Sequence, residues 1–181
     1  MSEAGAIPAV RCNQDALYEE AAAEYGPALE RLAHAYEAEP ETRRDLLQEI
    51  HIAVWRSFAS FDGRCSRRTW IYRIAHNVAT SHVIKQRRAK GQGLIGLEEM
   101  ETLPDTRSGH ETADRNQDLA RLMEFIQRLK PLDRQVILSY LEGLDAASIG
   151  EITGLSARYV STKIYRIKEV LARRFNPGRT L

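Results

Sequence analysis

Apolar residues recur along this chain at three- and four-residue intervals, and no stretch sustains the alternation that marks a strand. The pattern predicts an all-α protein. A first helix is expected from about Gln14 to Tyr25, where Gly26-Pro27 interrupts it, and Pro27 can open the next through Ala28, Leu29, Leu32, Ala33 and Tyr36. A third spans about Arg43 to Phe58. After a turn at Phe61-Asp62-Gly63, a long helix covers Thr69 to Arg88. These four make one bundle over residues 14–90, behind a tail at 1–13. Residues 91–117 change character, with Gly91, Gly93, Gly96, Pro104 and Gly109 scattered among acidic and small polar residues, as in a flexible linker. Helical signals resume near Leu119 and run as short helices to Phe175. Residues 118–176 are therefore read as a second small helical domain, ending in a tail at 177–181.

Two helices of the first bundle carry more than a core face. At about 100° per residue, Leu46, Leu47, Ile50, Ala53, Val54 and Phe58 share one stripe of the third helix. The opposite stripe reads Asp45, Gln48, Glu49, Ile52 and Trp55. Apolar anchors among charged neighbours make a docking surface, and the alternative for Trp55 is packing beneath the first helix. In the long helix, Trp70, Ile71, Ile74, Ala75 and Val78 fall on one side, with Arg73, His76, Asn77 and Thr80 on the other. That polar face combines phosphate-type donors with an amide able to pair with a base edge. Lys85, Arg87, Arg88 and Lys90 extend its charge, where cations also suit the helix dipole.

The second domain reads helix, Gly143, short helix, Gly154-Leu155-Ser156, longer helix. Asp145 and Ser156 suit N-caps, and Gly150 is small enough for a close helix crossing. Val160, Ile164, Ile167 and Leu171 line the core stripe of the last helix, while Arg158, Thr162, Arg166 and Arg173 point away. This is the layout of a helix-turn-helix, whose second helix enters the major groove.

Net charge sharpens the picture only when divided along the chain. Against a total of +1, residues 1–50 hold 4 Lys/Arg and 11 Asp/Glu, whereas residues 51–95 hold 9 and 1. Residues 96–120 hold 2 and 7, residues 121–154 hold 4 and 5, and residues 155–181 hold 7 and 1. Two basic blocks separated by acidic sequence point to two anion-facing surfaces on separate units. No apolar run is long enough to span a bilayer and no leader pattern opens the chain, so a cytoplasmic protein without membrane insertion is expected. Cys12 and Cys65 suggest neither a disulfide framework nor a zinc site.

These residues together resemble the extracytoplasmic-function (ECF) sigma factors of bacterial RNA polymerase. One stretch is Asp45-Leu46-Leu47-Gln48-Glu49 through Val54-Trp55, then Phe61, Gly63, Thr69 to Ala75 and Asn77, similar to the family's region 2. The other is Leu129 to Leu132, Gly143-Leu144, Ile149, Glu151-Ile152, Gly154-Leu155-Ser156, Val160, Ile164, Arg166 and Leu171, similar to region 4. Asp62 and Arg67 depart from the pattern, which usually has a basic and an aromatic residue there. The resemblance implies a non-enzymatic initiation factor that recognises the minus-10 and minus-35 promoter elements and assists melting. Asp45, Gln48, Glu49, Ile52 and Trp55 would bind the clamp helices of the polymerase's largest subunit. Arg67, Arg68, Arg73, His76, Asn77 and Thr80 would meet the minus-10 element, and Ser156, Arg158, Tyr159, Thr162, Lys163 and Arg166 the minus-35 element. The flap of the second-largest subunit and an anti-sigma factor are further implied partners.

Two readings from other classes compete. An autonomous helix-turn-helix regulator would use the first bundle to sense a ligand or dimerise, and would bind promoters tightly without polymerase. An enzyme would draw on His34, His51, His76, His82 and the cysteines, yet no HExxH, metal-ligand spacing or phosphate loop supports one and no cofactor is expected.

Overall fold

The computed structural model describes residues 6–90 and 115–175, and its contacts divide the chain into two compact units, Met1–Ala89 and Lys90–Leu181. In the first, α1 (Ala6–Tyr36), α2 (Pro40–Ser57) and α3 (Arg67–Lys90) pack together, with a single 3-10 turn at Phe58–Ser60 closing α2. Every described element is helical apart from turns, as the periodicity predicts.

Two expectations fail in α1. The helix runs unbroken through Gly26-Pro27, and it begins at Ala6, so residues 6–13 are helical rather than a tail. A proline inside a helix costs about 3 kcal/mol, because it removes a backbone donor and crowds the preceding turn. Here the ring lies on the exposed side, while Ala21 before it and Ala28, Leu29, Leu32, Ala33 and Tyr36 after it are all buried. Burial on both sides of Pro27 outweighs the local preference to break. The helix after it begins at Pro40, in the first helical turn, where a missing N–H costs nothing.

Leu46, Ile50, Val54 and Phe58 form the core stripe of α2, as expected. Gly63, at φ 74°, makes the turn between α2 and α3, and Ser66 then caps α3, its Oγ accepting from the Thr69 N–H at 3.0 Å. Trp70 fastens the start of α3: its ring lies 5.4 Å from that of Phe61, and its Nε1 donates to Ser57 Oγ at 2.9 Å.

The second unit contains α4 (Arg115–Arg128), α5 (Pro131–Leu141), α6 (Ala146–Thr153) and α7 (Ala157–Phe175). Residues 115–117, expected in the linker, begin α4; the rest of the expected linker lies outside the described residues, as does the tail at 177–181. Phe125, Ile126, Leu129, Val136, Ile137, Ile149, Val160 and Ile167 build the core. Arg134 is 1% exposed at its centre and donates to the carbonyls of Gln127 and Leu129. A buried guanidinium thus satisfies carbonyls that the end of α4 leaves without helical partners.

Candidate nucleic-acid interface

On α2, Asp45, Gln48 and Glu49 are exposed, and Ile52 keeps 41% of its surface in solvent. All belong to the stripe opposite the core. Trp55 does not stand open with them. Its indole Nε1 donates to Asp15 Oδ1 at 2.7 Å and its carbonyl accepts from Gln14 Nε2 at 2.7 Å, so α1 half-covers it. Next to it the Tyr18 hydroxyl meets His51 Nδ1 at 3.0 Å. Packing against the first helix, the alternative for Trp55, describes much of its surroundings.

The polar face of α3 is narrower than its sequence suggests. Asn77 is exposed and Arg73 half-buried, whereas His76 is fully buried, with Nδ1 3.0 Å from the Tyr36 hydroxyl and its ring beside Tyr72. Burial pushes its pKa down to about 3, so the ring is neutral at physiological pH. His76 is therefore a core histidine and not a DNA-facing cation. Thr80 is half-buried as well, and its hydroxyl oxygen is enclosed without a hydrogen-bond partner among the described residues. The core stripe runs through Ile71, Tyr72, Ala75, His76, Ala79 and Val83, rotated by about one residue from the expected one. Trp70, Ile74 and Val78 sit at its edge.

At the start of α3, Arg67 is paired with Glu20 at 2.5 Å, and the Arg68 guanidinium lies 5.8 Å from the centre of the Tyr72 ring. In the preceding loop Asp62 accepts from the Arg64 N–H at 3.1 Å and from its Nε at 2.5 Å. Those two hydrogen bonds, the backbone one foremost, hold the Asp62 carboxyl below the usual carboxylate range.

The second unit has the helix-turn-helix geometry its sequence predicts. Asp145 Oδ1 caps α6 by accepting from the Ser148 N–H at 2.7 Å. Gly154 ends α6 at φ 76°, a left-handed conformation that favours glycine. A Cβ built on Gly150 would lie 2.6 Å from the Leu155 carbonyl oxygen, so only glycine permits this approach of α6 to the turn. Ser156 Oγ accepts from the Tyr159 N–H at 3.3 Å, capping α7. Arg158, Thr162 and Arg166 are exposed and Tyr159 is 50% exposed, on the side of α7 away from buried Val160, Ile167 and Val170. Lys163, expected to face DNA, is half-buried, and its ammonium is hydrogen-bonded to Asp133 of α5. Sequence spacing gave no sign of that partner thirty residues away.

Among the described residues no cluster of three His, Cys, Asp or Glu could hold a metal ion, and no helix is long and apolar enough to cross a membrane.

Comparison with known proteins agrees with this division. Residues 21–89 match the family model for sigma-70 region 2, and residues 119–171 that for sigma-70 region 4. An ECF RNA polymerase sigma-E factor of Haemophilus influenzae is 30% identical over 141 residues, covering 74% of this chain and 74% of the relative. The RNA polymerase sigma-H factor of Pseudomonas aeruginosa is 27% identical, covering 74% and 73%. In fold, the chain is similar to the sigma factor RpoE solved with the anti-sigma factor NepR from Bartonella quintana, with a TM-score of 0.67, 18% identity and coverage of 90% of this chain and 98% of that one.

Proposed function

Because this chain belongs to the extracytoplasmic-function sigma factors of bacterial RNA polymerase, we propose that three of its surfaces divide the work of promoter recognition. It is a transcription initiation factor, which binds core RNA polymerase and directs it to promoters. Its acidic α2 face, Asp45, Gln48, Glu49 and Ile52 with the open edge of Trp55, docks on the clamp helices of the largest polymerase subunit. Arg67, Arg68, Arg73 and Asn77, with the loop before α3, meet the minus-10 element, and α7 reads the minus-35 element through Arg158, Tyr159, Thr162 and Arg166. The flap of the second-largest subunit holds the second unit.

The observation that carries this reading is the presence, in one chain and in this order, of a region 2 unit and a region 4 unit that each pack around their own core. Each DNA surface is small, and a chain of net charge +1 has little nonspecific affinity for phosphates. Polymerase supplies the missing affinity by holding both units on one chain, joined by the residues ahead of α4, so that the second DNA contact becomes intramolecular. Melting needs a base held outside the duplex at a cost of a few kcal/mol, which contacts from α3 and its loop offset. None of these steps makes or breaks a covalent bond, so the chain acts without catalysis, in the cytoplasm where the polymerase works. An anti-sigma factor, such as accompanies the Bartonella protein, would restrain it by covering these same faces.

Run-off transcription with core polymerase on a promoter library, with and without the chain, tests the proposal. Transcripts that start at a defined promoter class only when the chain is present are expected. Tight promoter binding by the chain alone, with no co-migration with core enzyme, would refute it in favour of an autonomous regulator.

A further inference from the structure

Lys163 follows Tyr159 by one helical turn on α7, among side chains that point outward, yet its ammonium turns inward. Asp133, in the first turn of α5, accepts its hydrogen bond, and the two side chains are only 19% and 9% exposed. The same ammonium lies 5.3 Å from the centre of the Tyr159 ring. One face of that ring is thus covered by a cation that is itself anchored to another helix, while half of the tyrosine surface remains in solvent.

Resting on the reading of α7 as the minus-35 helix, we infer that Asp133 and Lys163 are positioning residues that hold the Tyr159 ring ready to recognise a thymine methyl group in the major groove. The thymine methyl is the apolar group displayed on that edge of the duplex, and an apolar side chain is what distinguishes it. Arg158, Thr162 and Arg166 offer guanidinium and hydroxyl groups; Tyr159 is the exposed aromatic surface in the first turn of α7, and Tyr165, also exposed, follows six residues later with no anchored cation against its ring among the described residues. A tyrosine free to rotate would lose side-chain freedom on binding, and one already held under an anchored cation loses less. Lys163 is poorly placed to serve as a phosphate contact instead. Reaching a phosphate would leave the Asp133 carboxylate almost buried and without its counter-charge, which is strongly unfavourable.

The two roles give different salt dependences. Each cation that neutralises a phosphate adds about 0.9 to the slope of log affinity against log salt, and a lysine already neutralised by Asp133 adds nothing. The test uses holoenzyme reconstituted from the full chain and core polymerase, a promoter library randomised in the upstream element, and a salt series on the selected promoters. Tyr159→Ala and Lys163→Gln should each lower the preference for thymine at one position by about five-fold or more, the low end of a mismatched base pair, and leave the slope unchanged. Asp133→Asn should lower the same preference and steepen the slope by about 0.9, because the released ammonium becomes available to the backbone. Lys163→Arg should keep most of the preference. Base preference is a ratio measured on one protein, so reduced folding of a variant does not move it.

A slope that falls by about one in Lys163→Gln, with all sequences weakened alike, would make Lys163 a phosphate contact and overturn the inference. An unchanged preference in Tyr159→Ala and Lys163→Gln would do the same. Arg158→Ala separates this from the parent reading. If it weakens upstream recognition while the other variants do nothing, the positioning role alone fails; if it too has no effect, α7 is not the reading helix.

Discussion

Gly150→Ala sets two effects of opposite sign against each other at a single atom. In an exposed helix the change would stabilise α6 by about 1 kcal/mol, since alanine restricts the unfolded backbone. At residue 150 the new methyl would stand 2.6 Å from the Leu155 carbonyl oxygen, well inside contact distance, with the Ala157 nitrogen at 3.7 Å. The opposing atom is backbone and cannot rotate away, so α6 and the turn at residues 154–156 must separate by several tenths of an ångström. Overpacking of this kind costs about 1–3 kcal/mol, and a rigid neighbour puts it in the upper part of that range. The net effect is a loss of about 1–2 kcal/mol, equivalent to roughly five- to thirty-fold in the equilibrium for opening the motif. Amide hydrogen exchange of the full chain measures this directly, and faster exchange by that factor is expected in peptides from residues 144–170 with no change in α1 to α3. Equal or slower exchange in Gly150→Ala would show that the helix crossing does not require glycine, and the reasoning about the motif would fail.

Three further outcomes follow from the same structure. His76 should make stability depend on pH: its pKa is about 3 in the fold and near 6.5 unfolded, so the unfolded chain binds the extra proton between those values. Stability is then full above pH 6.5 and falls on acidification toward pH 3, by up to about 1.4 kcal/mol per pH unit; chemical denaturation of His76→Gln should lack this component, and an identical slope in the variant would contradict the burial argument. Glu49→Arg reverses an exposed charge on α2, and about ten-fold weaker association with core polymerase is expected at unchanged thermal stability; unaltered co-migration with core would remove α2 as the docking face. Arg158→Ala should weaken holoenzyme binding through the upstream element by about 1–3 kcal/mol while leaving polymerase binding intact, and loss of both activities would contradict that assignment.

Elements whose cause is local were legible in the sequence. The α2 stripe, the Asp145 and Ser156 caps, the turn at Gly154-Leu155-Ser156 and the close approach at Gly150 each follow from a few neighbouring residues. Features that depend on a partner distant in sequence were not. Pro27 reads as a break until side chains on both sides of it are buried in the bundle, and Trp55 reads as an open anchor until Asp15 and Gln14 reach it from the preceding helix. His76 lies on the border between the two faces of α3, where an error of one residue in the stripe decides between core and surface. Tyr36, forty residues away, settles it by offering the hydroxyl that a buried imidazole needs.

Internal pairing also explains why such a basic set of helices need not bind DNA strongly by itself. Arg67 is held by Glu20, Arg64 by Asp62 and Lys163 by Asp133, so part of the positive charge in both basic blocks is already answered within its own unit. These pairs are not equivalent. Arg64 is 89% exposed and Arg67 36% exposed, and solvent screening makes such ion pairs weak enough for a phosphate to compete for either arginine. The Lys163 pair is enclosed, so surrendering that lysine would strand the carboxylate behind it. On the proposed reading, DNA near the first unit could therefore recruit charge that is only loosely committed, whereas α7 would work with the side chains it already presents. Weak nonspecific attraction combined with the fixed reading face proposed for α7 would suit a sigma factor that engages promoters as part of a large enzyme.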